Sequence, residues 1–189
     1  VRTLTVARPE ERTVVAERHD ALPAPEARKF YAKSCKLMGV RAFECSAKGA
    51  LIPESVALRS LDGRPLVPGA DYVLDGVWGG VEAATNSPAV GRPFLADYSY
   101  RLSRIDSVVR ADGSVRIRKG LSHVANPEPP VLNLGEERLA NVFVRASATR
   151  LEPASVYPIA VQPPSVRRSA HPVAERFLPK TMKALSEGG

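Results

Sequence analysis

The stretch Phe94 to Leu102 constrains this chain more than any other. Phe94, Ala96, Tyr98, Tyr100 and Leu102 alternate with Leu95, Asp97, Ser99 and Arg101. Successive side chains of a strand point to opposite faces, so the first set lines one face. A helix would scatter the same aromatics around its circumference. The period of two predicts a half-buried β-strand.

Neighbouring segments repeat the pattern in shorter form. Ile105 to Arg110 and Ser114 to Arg118 flank Ala111-Asp112-Gly113, and Asp-Gly supplies the positive φ of a tight hairpin. Leu61-Asp62-Gly63-Arg64 gives the same signal after a strand at Ser55 to Ser60. Further strands are predicted at Leu4 to Ala7, Thr13 to Glu17, Val40 to Ser46, Tyr72 to Leu74, Leu139 to Ala146 and Val156 to Val161. Seventeen prolines and 13 glycines punctuate the chain, which favours many short elements over long helices. Together these signals predict a mainly β fold, an antiparallel β-sandwich-like module.

Two segments depart from this pattern. In Glu26 to Met38, Ala27, Phe30, Tyr31, Ser34 and Met38 approximate a helical stripe, and Pro25 suits a helix start. Phe30, Ala32 and Ser34 would also share one face of a strand; the favoured expectation is a short helix near 26–38. In the tail, Val173, Phe177, Met182 and Leu185 predict an amphipathic linker helix broken by Pro179. The implied division is a β-rich domain over 1–161, then a Pro-rich linker and helical tail over 162–189.

Composition bears on partners. Twenty-seven basic against 20 acidic residues give a net charge of +7, which permits attraction to anionic partners. The excess is spread out with no long basic run, so a solvated basic surface is expected and no specific nucleic-acid partner. No stretch approaches membrane-spanning length, which predicts a soluble chain without a membrane span. The chain begins at Val1 without a basic-then-apolar leader, and its compartment stays open. Cys35 and Cys45 fit either an oxidised pair outside the cytosol or two buried thiols inside it; buried thiols are the expectation. Two cysteines alone do not build a typical four-ligand zinc site.

Candidate chemistry is sparse. The histidines are His19, His123 and His171. Asp106, Ser122 and His123 can be drawn as a triad, but neighbours on a strand point to opposite faces. Glu17, His19 and Asp20 offer three ligand-bearing side chains within four positions, in a spacing that fits no specific metal site. Gly76-Val77-Trp78-Gly79-Gly80 is glycine-rich but lacks the lysine and following helix of a P-loop. No catalytic residue, metal or cofactor is expected. Tyr72, Trp78, Tyr98 and Tyr100 are the candidate ligand-binding residues, because exposed rings stack on sugar C–H surfaces. The competing role for the tyrosines is to fill the core between two sheets, whereas Trp78 falls in a glycine-rich loop.

One further pattern runs through these residues. The block Pro68-Gly69-Ala70-Asp71-Tyr72-Val73-Leu74-Asp75, then Trp78-Gly79, Gly91 and Tyr98-Ser99-Tyr100, leads into Arg104-Ile105-Asp106 and the Asp112-Gly113 hairpin. It resembles a recurring β-module of phage tail and baseplate-like proteins and of accessory domains in bacterial surface or secreted enzymes. The span Val14 to Ile159 resembles the N-terminal accessory region of bacterial SGNH/GDSL-type hydrolases. Ala174 to Met182 is similar to the lead-in helix before such a catalytic domain. The Gly-Asp-Ser and Asp-x-x-His blocks of that family do not occur in this sequence, so no catalytic residue carries over. The resemblance implies a non-catalytic accessory or binding module, with a hydrolase domain C-terminal to it as partner and glycan as ligand. The alternative is a phage-tail-like assembly protein; a weaker one is a small hydrolase with an unrecognised site.

Overall fold

The computed structural model describes residues 4–25, 34–42 and 45–159. Its strands are β1 (Glu10–His19), β2 (Cys35–Lys36), β3 (Arg41–Ala42), β4 (Cys45–Ser46), β5 (Leu51–Ser60) and β6 (Tyr72–Asp75). They continue with β7 (Gly80–Ala83), β8 (Phe94–Leu102), β9 (Arg104–Ala111), β10 (Ser114–Arg118), β11 (Glu137–Val144) and β12 (Val156–Pro158). The fold is mainly β, and every pairing between these strands is antiparallel. Three sheets run in the orders β1-β8-β5, β2-β7-β6 and β10-β9-β11-β12, and β3 pairs with β4. All belong to the compact unit Val1–Pro158. Among the described residues no helix is long and apolar enough to cross a membrane.

The alternating segment is β8, the central strand of its sheet. Phe94, Ala96 and Tyr98 are buried on its inner face. They join Leu51 and Leu58 of β5, Tyr72 of β6, Val81 and Ala83 of β7, and the connecting residues Leu22, Leu37 and Val40 in one core. Burying each of the larger side chains contributes about 1.5–3 kcal/mol, which makes this cluster the main source of cohesion. The Asp112-Gly113 turn forms as expected. Both residues take positive φ, 49° and 71°, and Ser114 pairs with Ala111 across it.

From β8 the chain passes through Ser103 into β9 and so enters a second sheet. Arg104 and Asp106 lie two apart on β9, share a face and are fully buried. The guanidinium grips the carboxylate at 2.6 and 2.9 Å. It also donates to the carbonyls of Ala7 at 2.8 Å and Arg8 at 3.2 Å. The Gly120 N–H donates to Asp106 Oδ1 at 3.0 Å. A Cβ at position 120 would meet the Ile105 carbonyl oxygen at 2.0 Å, so only glycine fits there. The pair thus staples the N-terminal segment and the loop after β10 onto β9. It also explains why Leu4 to Ala7 is not a strand: the Ala7 carbonyl serves Arg104 instead of a ladder.

Other expectations need correction. Within the helix expected near 26–38, Cys35–Lys36 pairs as β2 with Val81 and Gly80, and Met38–Val40 is a 3-10 turn. Met38 is exposed, and Cys35–Lys36 takes extended geometry because it completes an edge ladder with β7. Residues 26–33 and the expected C-terminal linker helix lie outside the described residues. In place of one strand over Val40 to Ser46, Val40 closes the 3-10 turn, and β3 and β4 pair with each other, Arg41 with Ser46 and Ala42 with Cys45. The glycine-rich stretch around Trp78 is a turn, as expected, and it is followed by a buried strand, β7, for which no expectation was made.

A bulge in β1 matters most for the site. Val14 faces Tyr98 while Glu17 faces Ala96, which places one extra residue on β1. Ala16 takes φ 57° there and donates its N–H to Asp97 Oδ1 at 2.6 Å. Asp97 is held in turn by Arg59 of β5. The bulge switches the inward parity from Val14 to Glu17 and His19. A left-handed Ala costs roughly 1–2 kcal/mol, of which the greater unfolded freedom of Gly offsets about half. Ala16→Gly is therefore expected to stabilise the module by about 0.5–1 kcal/mol, readable as a small rise in Tm of roughly 1–4 °C.

Candidate functional site

Glu17 and His19 reach the inner face of β1 through the bulge, and β2 brings Cys35 against them. His19 lies between the other two side chains. Its Nδ1 is 2.8 Å from Cys35 Sγ and its Nε2 is 2.7 Å from Glu17 Oε1. The ring stacks on Phe94, with centroids 4.7 Å apart and planes 13° from parallel. The side chains of His19 and Glu17 are only 10% and 12% exposed, and Cys35 is a half-buried free thiol.

Glu17 is the hub of the cluster. Besides His19, it accepts the Met38 N–H at 2.8 Å and the Tyr98 hydroxyl. Tyr98 OH in turn accepts the Gly39 N–H at 2.7 Å. A side chain at position 39 would run into Tyr98 and Tyr100, so the 3-10 turn approaches β8 only because Gly39 has none. Burial disfavours the charge on Glu17, but the donors from His19, Met38 and Tyr98 outweigh it and hold the carboxyl below its ordinary range. Burial likewise opposes the charge on His19, yet the contacts with Cys35 and Glu17 lift it to about 9. Burial, reinforced by the Glu17 carboxylate, pushes the Tyr98 phenol upward. The result is a carboxylate on one nitrogen of the His19 ring and the Cys35 sulfur on the other.

A nucleophile, an imidazole and an orienting carboxylate in series form the arrangement that activates a thiol. Both ring nitrogens of His19 are engaged. Asp20, the third side chain of the metal grouping weighed above, is exposed and faces Arg18. Among the described residues no three His, Cys, Asp or Glu side chains are grouped to hold a metal ion.

The structure disperses the aromatic set. Tyr72 and Tyr98 are buried in the core, and Tyr98 is spent on Glu17. Tyr100 is half-buried, 6.2 Å from Tyr98 between ring centroids. Trp78 stands apart on the turn between β6 and β7, half-buried, with Lys48 Nζ 5.8 Å from its ring centroid. Asp106, Ser122 and His123 are not brought together by hydrogen bonds. Asp106 is committed to Arg104 and Gly120, His123 Nδ1 accepts the N–H groups of Ala125 and Asn126, and Ser122 Oγ has no partner.

The local sequence groups Glu17 and His19 with Asp20, whereas the fold groups them with Cys35. Strict alternation already puts 17 and 19 on one face and 20 on the other, so part of the signal was present. The contact with Cys35 depends on β2 lying beside β1, which no local pattern announces.

A shallow cleft of about 720 Å³ is lined by Ile105, Asn126, Glu128, Asn141, Phe143 and Tyr157. A second, of about 540 Å³, shares Ala125, Pro127 and Phe143 with it and extends to Lys48 and Val77 beside the Trp78 turn. No family model, curated protein or solved structure matches the chain.

Proposed function

We propose that this chain is a non-catalytic accessory β-module that works beside a C-terminal hydrolase domain of the SGNH/GDSL type, supporting that domain or contacting its glycan substrate. In this reading the sheets β1-β8-β5 and β2-β7-β6 stack as a sandwich-like scaffold. The observation that carries the proposal is the concave face running from the Lys48 and Val77 side to β12. It combines apolar floor residues, Phe143 and Ile105, with polar groups on Asn126, Asn141 and Glu128. Tyr157 of β12 lines it and is 50% exposed. Wide concave faces with an aromatic edge and amide groups suit a sugar chain or a partner domain better than a small metabolite.

The test has two parts. The parent coding sequence is read beyond Gly189, where a Gly-Asp-Ser block is expected. The longer protein is then assayed for ester hydrolysis on acetylated polysaccharide and on a small soluble ester, with and without Tyr157→Ala and Asn141→Ala together. The expected result is a loss of several-fold on the polysaccharide and no change on the small ester. A stop codon directly after Gly189, or equal losses on both substrates, would count against the proposal.

A second reading, a phage-tail-like assembly protein, draws on the exposed Val131 and Leu134 of the loop before β11 and on β12 lying at the edge of its sheet. Light scattering distinguishes it, because an assembly subunit forms a defined ring or higher oligomer at micromolar concentration.

A further inference from the structure

We propose that Cys35 is a thiol-exchange site, in which His19 and Glu17 equip its sulfur to react with small disulfides and take a mixed-disulfide modification. The inference stands apart from the accessory-module reading and rests on the geometry of the Glu17–His19–Cys35 series.

Three features carry it. The sulfur sits 2.8 Å from His19 Nδ1, within direct proton-transfer distance. The opposite ring nitrogen is anchored on Glu17, and the ring face on Phe94, so the imidazole cannot turn away without losing both contacts. Cys35 lies on β2, a two-residue strand at the edge of its sheet, and is half-buried rather than sealed. A protonated imidazole next to a sulfur favours the thiolate, which is the nucleophile in exchange.

The exchange balances with what the site supplies. The proton between Sγ and Nδ1 ends on Nδ1 as the Cys35 sulfur attacks one sulfur of the disulfide RS–SR. The Cys35–S–S–R bond forms and the RS–SR bond breaks. The departing RS⁻ takes the proton from Nδ1 and leaves as RSH. Cys35 is oxidised and the disulfide is reduced by the same two electrons. Disulfides suit the site better than acyl groups. Acyl transfer also needs free donors for an oxyanion near the sulfur. The nearby N–H groups of Leu37, Met38 and Gly39 are already given to Gly79, Glu17 and Tyr98.

The groups that face His19 are Cys35 and Glu17, with Tyr98 acting through Glu17 and Tyr100 beside Tyr98. A pH profile of Cys35 reactivity therefore reports on this cluster. The experiment uses the full chain carrying Cys45→Ser, so that Cys35 is its only thiol, and 5,5′-dithiobis(2-nitrobenzoate) as the disulfide. Rates are followed from about pH 5 to about pH 9, and the adduct is located by mass spectrometry. At about pH 6 the folded protein is expected to react at least about tenfold faster than the same protein unfolded in denaturant. Adding His19→Gln removes that advantage at about pH 6 while the rates converge near about pH 9. Glu17→Gln, acting on the position of the ring, gives an intermediate profile.

Circular dichroism establishes that each variant is folded. If His19→Gln does not fold, the comparison of folded and unfolded Cys45→Ser protein decides alone. A folded protein whose Cys35 goes unlabelled, or labels no faster than the unfolded chain at about pH 6, overturns the proposal. So does a folded His19→Gln variant with an unchanged profile.

Discussion

Replacing Asp106 with alanine is expected to destabilise the module by about 3–5 kcal/mol, the largest effect of any single polar substitution proposed. Arg104 is fully buried, and among the described residues Asp106 is its only carboxylate partner. Without it the buried guanidinium is left with no carboxylate opposite it, and an uncompensated partner of a buried pair is strongly destabilising. The Gly120 N–H, which donates to the same carboxylate, loses its acceptor as well. Denaturant unfolding should show a lower midpoint at nearly unchanged slope, and thermal unfolding a Tm lower by roughly 6–20 °C. Hydrogen exchange at the Gly120 amide should accelerate first.

The double replacement Arg104→Met with Asp106→Leu is expected to cost less than Asp106→Ala alone, since no charge is then left buried. Some cost persists, because the Ala7 and Arg8 carbonyls and the Gly120 N–H must find new partners. A double replacement more destabilising than Asp106→Ala would show that the staple, and not the desolvated charge, dominates.

The second large effect belongs to Glu17. Glu17→Ala removes the common acceptor of His19, Met38 N–H and the Tyr98 hydroxyl. Leaving those donors unsatisfied in a half-buried site is expected to cost about 3 kcal/mol near neutral pH. The pH dependence distinguishes this from simple loss of packing. In the native protein His19 is raised from 6.5 to about 9. The stability it contributes is fully present below about 6.5 and is lost as pH rises through about 9, a linkage of about 3 kcal/mol. Glu17 is lowered from 4.5, so its contribution is present above about 4.5 and is lost as pH falls through the depressed value.

The native module should therefore be most stable between those limits and weaken towards alkaline pH. Glu17→Ala should be less stable on the plateau and show a flatter alkaline limb, because His19 then keeps only Cys35 as a partner. Denaturant midpoints at about pH 6 and about pH 9.5 make the comparison. Equal alkaline losses in both proteins would place the linkage elsewhere.

How much of this was legible beforehand depends on the range of the interactions. β8 was readable because its nine residues alternate without interruption, and side-chain alternation is a property of the strand alone. The β9–β10 hairpin was readable because Asp112 and Gly113 accept positive φ locally. β7 was not, since Gly80-Val81-Glu82-Ala83 is buried throughout and so has no alternation to display. Burial of Tyr72 and Tyr98 was legible as the core-filling role open to strand tyrosines, but the bond that spends the Tyr98 hydroxyl on Glu17 was not, because it crosses between strands.

The amino-acid sequence by itself determined the mainly β character, the central strand β8 and the Asp-Gly turn after β9, all set by contacts within a few residues. The tertiary structure decided which side chains meet. It placed one extra residue in β1, turned Glu17 and His19 inward, and laid Cys35 at the edge of β7 against them. It also buried Arg104 against Asp106, two positions away, and tied that pair to carbonyls almost a hundred residues earlier. Bulges and edge pairings draw their energy from partners distant in the chain. A local pattern therefore specifies that a strand forms, while the assembled sheets specify which residues it brings together.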